Sequence, residues 1–389
     1  MSDKILMDLL QMIGLFFLNP IVVVSILAAI ALGYFRVKRE RRSFRVRLSP
    51  GLTELKRLLA ESWLYALVLS VLISGVGLVV DAGWLVLFTV ATLIALVTFY
   101  YKVASPIYFA AVGFVALYMM GKYAGDFTVR GWTPAQVDLF GELAVTIPVI
   151  AGGLLVVEGL LIRRHTARYA SPYLMQTNRG LRATVFQAKR LWLLPVVFLV
   201  PGDMIAVYAP YWPQFTLGAH AFSLVPLPII IGFSQVARST YPDALYPKMG
   251  RAISWTGCAV VVVGLAALWM PILGWAALAI GVVCRMAISI TVSVRERIGN
   301  YAVAPSPAGV VIAGVLPDSP GEKMGLVPGE CIRSVNGLQV NNEKELYDAI
   351  QINAAHCRLQ VIDRDGEVRL MQQVLYRHDH HRLGLLVVR

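Results

Sequence analysis

The chain has 389 residues, 57% of them hydrophobic and 15% charged, and its mean hydropathy is +0.66. Soluble domains are about 45–50% apolar and about 25% charged, so the composition marks a membrane protein before any motif is read. The net charge of +12 is uneven: residues 1–301 hold 26 Lys and Arg against 13 Asp and Glu, whereas residues 302–389 hold 9 against 10. The basic excess therefore belongs to the apolar part, where it reads as a topology signal and lipid contact, and no nucleic acid partner is expected.

In chain order, residues 1–8 (MSDKILMD) lack the charge pattern of a cleaved signal, and no small-residue cleavage site follows. Charge is then absent from Leu9 to Phe35, a stretch divided by Pro20, so the part before the proline can lie at the interface while the part after it crosses. From Arg36 to Arg57 there are nine Lys and Arg against Glu40 and Glu54, which places this loop in the cytoplasm by the positive-inside rule. Helical spans are predicted at about 63–80, 84–101, 103–121 and 143–162. A second basic loop, 163–190, has seven Lys and Arg and no acid. Further spans are predicted at about 191–209, 219–237, 252–270 and 273–294, with Pro201-Gly202-Asp203 interrupting the first of these.

The alternation places 36–58, 163–190, 238–251 and the C-terminal domain inside, and 122–142 and 210–218 outside. It gives a polytopic α-helical membrane domain over 1–298 with about nine crossings, or eight if the first segment or a Pro-broken pair stops short. Trp63, Trp84, Tyr100, Tyr101, Trp192, Trp269 and Trp275 lie near the proposed span ends, as an aromatic belt does. Cys258, Cys284, Cys331 and Cys357 form no CxxC and read as small hydrophobes in a reducing compartment.

Ionisable groups inside a membrane are costly and call for a role. Three are present: Glu158, Asp203 and Arg285. Glu158 and Arg285 either pair between helices or reach separately for the surface, and a transport pathway is the functional alternative. No HExxH or GxSxG occurs; Ser74 in "LISGVG" has no histidine within a span to serve as its base, since His165 is in a cytoplasmic loop and His220 near an outer edge. No enzyme activity and no cofactor is expected.

Residues 299–308 read as a Pro/Ala/Ser/Gly linker, and from Gly309 the sequence changes to short strands and turns. "GVVIAGVLP" is a β-branched strand; Ser319 caps a one-turn helix with Pro320 first and Glu322 at the capping-box position; Gly325 stops it. Asn336-Gly337 fits a tight hairpin turn, Asn342 caps the next helix, and Leu346, Ala349 and Ile350 form its buried stripe. A hairpin about Asp365-Gly366 follows, then "RLGLLVV". The "HDHH" run, 378–381, reads as a solvated turn, with metal binding as the alternative.

With "SPGEKMGLVPGECIRSVNG" at its centre, this order of elements resembles a bacterial PDZ domain, a small α+β fold, covering 309–389. Bacterial PDZ domains are often circularly permuted, which implies that the strand beside the peptide groove comes last. Its opening loop would then be "RLGL", where Gly384 lets successive N–H groups converge on a peptide carboxylate. The implied peptide-binding residues are Arg382, Leu383, Gly384, Leu385, Leu386 and Val387, faced by Leu346 and Ile350 on the helix. The alternative is that 383–388 is a core strand only.

"GLFFLNP" (14–20), "GYFRVKRERRSF" (33–44) and a terminal PDZ domain ending "LGLLVV" together resemble the MinJ family of cell-division topology factors. That resemblance implies a non-enzymatic scaffold at septum and poles, linking a DivIVA-like polar protein to a MinD-like one. The basic loops suit anionic lipid or an acidic partner. A PDZ-bearing membrane adaptor for secretion or protease control is the alternative, and a transporter is a third.

Overall fold

The computed structural model describes residues 14, 16–128, 132–177, 180–202, 212, 214–217, 220–352, 357–374 and 383–388. The described helices of the membrane part are α1 (Pro20–Phe44), α2 (Thr53–Ala60), α3 (Trp63–Val76), α4 (Ala82–Val97), α5 (Pro106–Tyr123) and α6 (Leu143–His165), followed after a sheet by α7 (Pro242–Ala266) and α8 (Ile272–Ile298). Among the described residues five helical stretches are long and apolar enough to cross a membrane: α1, the α2–α3 run Thr53–Val76, α6, α7 and α8. The chain signals its own helix starts. Pro20 and Pro106 occupy first-turn positions, where a missing N–H is harmless, and the Asp81 carboxylate accepts from Gly83 N and Trp84 N at 2.8 and 3.2 Å to cap α4.

Helices α6 and α7 pack most closely. Gly152 and Gly159 face Gly257 and Gly250, so that a Cβ on Gly159 would stand 2.5 Å from Gly250 O. Small residues at such a seam let backbones approach where lipid supplies no hydrophobic drive.

Two runs predicted as helical spans, about 191–209 and 219–237, are instead strands over 191–201 and 220–237. Strands β1 (Ser171–Gln176), β2 (Arg182–Pro201), β3 (Gln214–Leu217) and β4 (His220–Ala237) form one antiparallel sheet in the order β1-β2-β4-β3. The β2–β4 hairpin is continuous in register from Phe186↔Ala237 to Pro201↔Phe222. It is sheathed by α2 and α3 on the β2 side and by α5 and α8 on the β4 side, with α1 packed against both strands.

Strand backbone at membrane depth is tolerated only when protein covers its free N–H and C=O groups. Here the free edge of β2 is covered. Ser62 Oγ donates to Leu193 O at 2.5 Å, Val197 N donates to Ser70 Oγ at 2.9 Å, and Val80 N donates to Leu199 O at 2.9 Å. These contacts put the odd-numbered polar groups of β2 on the side away from β4, since antiparallel pairs alternate. Pro195 shares that parity, so its missing N–H removes nothing from the hairpin. On β4 the outward parity is even: Gly232 N donates to Ala104 O at 2.7 Å, and Pro226 and Pro228 fall on the same side. All three prolines occupy the edge positions that a strand allows them.

The buried polar residues Glu158 and Arg285 do pair. Arg285 Nη2 and Nε lie 2.6 and 2.8 Å from Glu158 Oε1, while Ser105 donates to Glu158 and Arg285 donates to Ser289. Both side chains are almost wholly buried. The pair is satisfied on all sides shown, as a structural ion pair must be to offset its desolvation. Asp203 lies outside the described residues.

The C-terminal part contains β5 (Val310–Val315), the one-turn helix α9 (Pro320–Lys323), β6 (Cys331–Val335), β7 (Leu338–Gln339), α10 (Glu343–Ile352), β8 (Cys357–Ile362), β9 (Val368–Gln373) and β10 (Leu385–Val387). Its sheet runs β10-β5-β6-β8-β9, with β7 paired to β6, so the last strand in sequence lies beside the first. The 299–308 segment, expected to be a linker, is stitched to the membrane part: Thr184 N donates to Val303 O at 2.9 Å and Ala302 N to Arg238 O at 2.9 Å. The four cysteines are free; Cys258 is exposed on α7, whereas Cys331 and Cys357 are buried, and burial pushes the Cys357 thiol up to about 11.

Candidate functional site

The loop before β10 is set by its neighbour α9. Ser319 Oγ accepts from Glu322 N at 3.3 Å, as the capping pattern predicts, but Glu322 reaches back to Asp318 N, at 2.7 Å. Gly321 N then donates to Leu383 O at 2.9 Å, and Leu316 N to Gly384 O at 2.8 Å. Gly384 has φ +71, and a Cβ there would stand 2.3 Å from Ser319 Cβ. Backbone conformation and contact both demand glycine at this turn.

From that turn β10 runs antiparallel to β5, with Leu385↔Val315, Leu386↔Gly314 and Val387↔Ile312 and an irregularity between Leu386 and Val387. Gly384 O and Val388 N bond toward β5. By alternation, the N–H and C=O groups of Leu385 and Val387 point to the other edge, where no further strand pairs among the described residues. Helix α10 faces this edge: the Tyr347 hydroxyl lies 3.5 Å from Leu385 O, a long contact across the gap.

Asn336 anchors α10. Its Nδ2 donates to Ala349 O at 3.1 Å, and its Oδ1 accepts from Arg358 N at 2.9 Å, which ties the helix to β6 and β8. The same residue has φ +52 and precedes Gly337 at φ +88, the left-handed pair of a tight hairpin turn. Asn342 Oδ1 caps α10 through Glu345 N at 2.9 Å. The acid of "PGE", Glu330, is buried; it accepts from Val327 N at 3.0 Å and pairs with Arg369.

Of the residues singled out in sequence, Leu346, Ile350, Leu383, Leu385 and Val387 come together in one buried cluster beneath the β10–α10 gap. Leu386 does not join them. It projects to the opposite face of the sheet and packs with Phe44 and Ala313. Arg382 and the "HDHH" run lie outside the described residues. Among the described residues no group of His, Cys, Asp and Glu is arranged to hold a metal.

That opposite face was not foreseen from sequence. Val311, Cys331 and Ile362 pack into the main core of the membrane part, and Leu386, Ala313 and Val388 meet Phe44, Leu48 and Leu174 at the end of α1 and on β1. Arg364 adds a polar clasp: Nη1 lies 2.6 Å from Asp243 Oδ2, Nε donates to Pro328 O at 2.9 Å, and the guanidinium sits 3.8 Å above the Tyr241 ring. The only signal in the sequence was the composition of β5, whose six residues VVIAGV have no polar side and are almost all buried. A sheet with one solvated face alternates apolar and polar residues.

Residues 311–364 match the PDZ domain family. The chain is 31% identical over 383 residues to the cell division topological determinant MinJ of Bacillus subtilis, covering 98% of this chain and 95% of that protein. It is also 27% identical over 248 residues to a probable MinJ of Lacticaseibacillus paracasei, covering 63% of this chain and 66% of the relative. A likeness that runs through the membrane part and the PDZ domain alike places both in one shared architecture, and the chain belongs to the MinJ family of cell-division topological determinants.

Proposed function

We propose that this protein is a non-enzymatic membrane scaffold that recruits and positions division proteins at septum and poles, with the PDZ groove taking a partner peptide. The observation that carries the reading is the β10 edge. It presents the N–H and C=O groups of Leu385 and Val387 beside α10, with Gly384 opening the strand in the left-handed conformation. An extended peptide adds to such an edge through main-chain bonds, and its side chains read the pockets. The circularly permuted order, with the groove strand last in sequence, fits the adjacency of β10 and β5.

In this reading the PDZ domain lies on the cytoplasmic side. The basic loops 36–57 and 163–190 gather at the end of the helices where it docks, as the contacts of Phe44 and Leu174 with Leu386 illustrate. Replacing two expected spans by a hairpin that returns to its own side leaves this orientation unchanged, because the number of crossings falls by two. By family resemblance the bridged partners are a DivIVA-like polar protein and a MinD-like protein, and the basic loops meet anionic lipid at the membrane surface.

A fluorescent fusion imaged in dividing cells tests the reading, with and without residues 309–389. Full-length protein should concentrate at septum and poles, and the truncated form should remain in the membrane yet fail to recruit division partners. Uniform membrane signal from the full-length chain, with pull-downs recovering secretion or protease subunits instead, would favour the adaptor alternative.

A further inference from the structure

We infer that a cleft between α1, α2 and the loop joining them is a binding site for the headgroup of one anionic phospholipid, such as phosphatidylglycerol. The cleft holds about 670 Å³. Its rim toward the apolar part is formed by Ile30, Tyr34 and Leu52, all exposed, and its rim toward the basic face by Arg47 and Lys56. An amphiphile with a negative head fits that division: acyl chains along the apolar rim, phosphate beside the two cations.

The walls are fixed by an internal network. The Arg36 guanidinium donates to Ser49 O at 3.3 Å and Pro50 O at 2.8 Å, and pairs with Glu54 at 2.5 Å and Glu40 at 3.0 Å. Leu48 N donates to Glu40 Oε2 at 2.9 Å. Gly33 allows the returning loop to press on α1, since a Cβ there would stand 1.9 Å from Gly51 O. The loop is thereby drawn back to the level of Tyr34 and cannot swing away into solvent.

The charge balance is what selects the ligand. Each nearby carboxylate is already engaged: Glu40 and Glu54 with Arg36, and Glu61 with Arg57 and Arg190. Arg57, which also lines the cleft, is held at 3.2 Å over the Tyr169 ring. Arg47 and Lys56 have no acid partner among the described residues. Two unneutralised cations therefore line one opening together with the exposed Tyr34, an aromatic of the kind that favours the membrane interface.

This inference rests on the reading that the basic face meets the bilayer surface. The test uses the purified full-length chain in zwitterionic detergent, with acyl-labelled phosphatidylglycerol and phosphatidylcholine as probes and fluorescence anisotropy as readout. Phosphatidylglycerol should bind more tightly than phosphatidylcholine. The pair Arg47→Gln/Lys56→Gln should weaken it about thirty-fold, from about five-fold per basic residue at a membrane surface. The pair Lys38→Gln/Arg42→Gln, equally basic and exposed but outside the cleft, should cost far less, because neither side chain lines the opening that holds the single probe lipid. Millimolar glycerol 3-phosphate should not displace the lipid, because it lacks the acyl chains that use Ile30, Tyr34 and Leu52. Equal losses from both charge pairs would overturn the cleft while leaving diffuse attraction to anionic lipid intact. No preference for phosphatidylglycerol would overturn both readings. Displacement by glycerol 3-phosphate would mark a soluble phosphate site and overturn the lipid assignment.

Discussion

The β2–β4 hairpin and the β5–β10 side of the PDZ sheet both bury their two faces, yet they treat their free edges in opposite ways. Along β2 the outward groups are met by Ser62, Ser70 and Val80, and Pro195 removes a donor. Along β4, Ala104 meets Gly232, and Pro226 and Pro228 remove two more. In the PDZ domain the outward groups of β10 meet only the distant hydroxyl of Tyr347 among the described contacts. Exposed strand edges are a liability that proteins cover or blunt. An edge left uncovered in the same molecule that seals another supports the proposal that β10 takes an added strand.

The largest effect should come from breaking the hairpin's parity. Leu194→Pro removes an N–H aimed at β4 and orphans a buried acceptor there, a loss of about 1–3 kcal/mol to which the misfit of the proline ring inside a central ladder adds, read as a lowered unfolding temperature in detergent. Val197→Pro removes only the bond to Ser70 and should be much milder. The reverse ranking would mean that the edges are assigned the wrong way round.

At the open edge, Gly384→Asp should abolish partner recruitment while membrane insertion persists. Strain at a positive φ is of order 1–3 kcal/mol, and the side chain would also displace Ser319. Co-purification of partners with the variant at wild-type yield would refute the groove. Next in size, Ser70→Ala leaves Val197 N without its partner inside the protein, a loss of about 1–3 kcal/mol measurable by thermal unfolding. The smallest effect belongs to Tyr347→Phe. Freeing Leu385 O of a 3.5 Å contact should raise affinity for a partner peptide about two-fold, since even a good net hydrogen bond contributes only about 1 kcal/mol. Weaker binding would show that the hydroxyl contacts the peptide itself.

The PDZ part was legible because each of its turns is written in local chemistry. Ser319, Gly325, Asn336-Gly337 and Asn342 each specify a cap or a left-handed turn within four residues, and the structure holds all of them. The stripe Leu346, Ala349, Ile350 likewise buries as its spacing predicts. The hairpin was illegible for the converse reason. "LWLLPVVFLVP" and "FSLVPLPIIIGFS" are apolar on every side, and an apolar run buried on both faces has no period to distinguish strand from helix. One cue was present: Pro226 and Pro228 stand two apart, a spacing that a helix interior rejects and a strand edge accepts.

Leu386 marks a second limit. It was grouped with its neighbours as a groove residue, but successive strand side chains take opposite faces, and the second face here has its own partner in Phe44. That partner lies some 340 residues away along the chain, and nothing near Leu386 names it.

By itself the sequence determined the class of each part: a basic-ended apolar membrane domain, then a small domain whose capped helices and glycine turns follow the PDZ order. Those features depend on residues close together in the chain. Only the tertiary structure decided that 182–201 and 220–237 are strands, that Glu158 meets Arg285, and that the PDZ sheet is clamped to the membrane part while the β10 edge stays open. Each of those depends on which distant surface supplies a missing partner, an ion for an ion, a serine for a strand edge, an apolar face for an apolar face. Local propensity carries no record of where that partner lies.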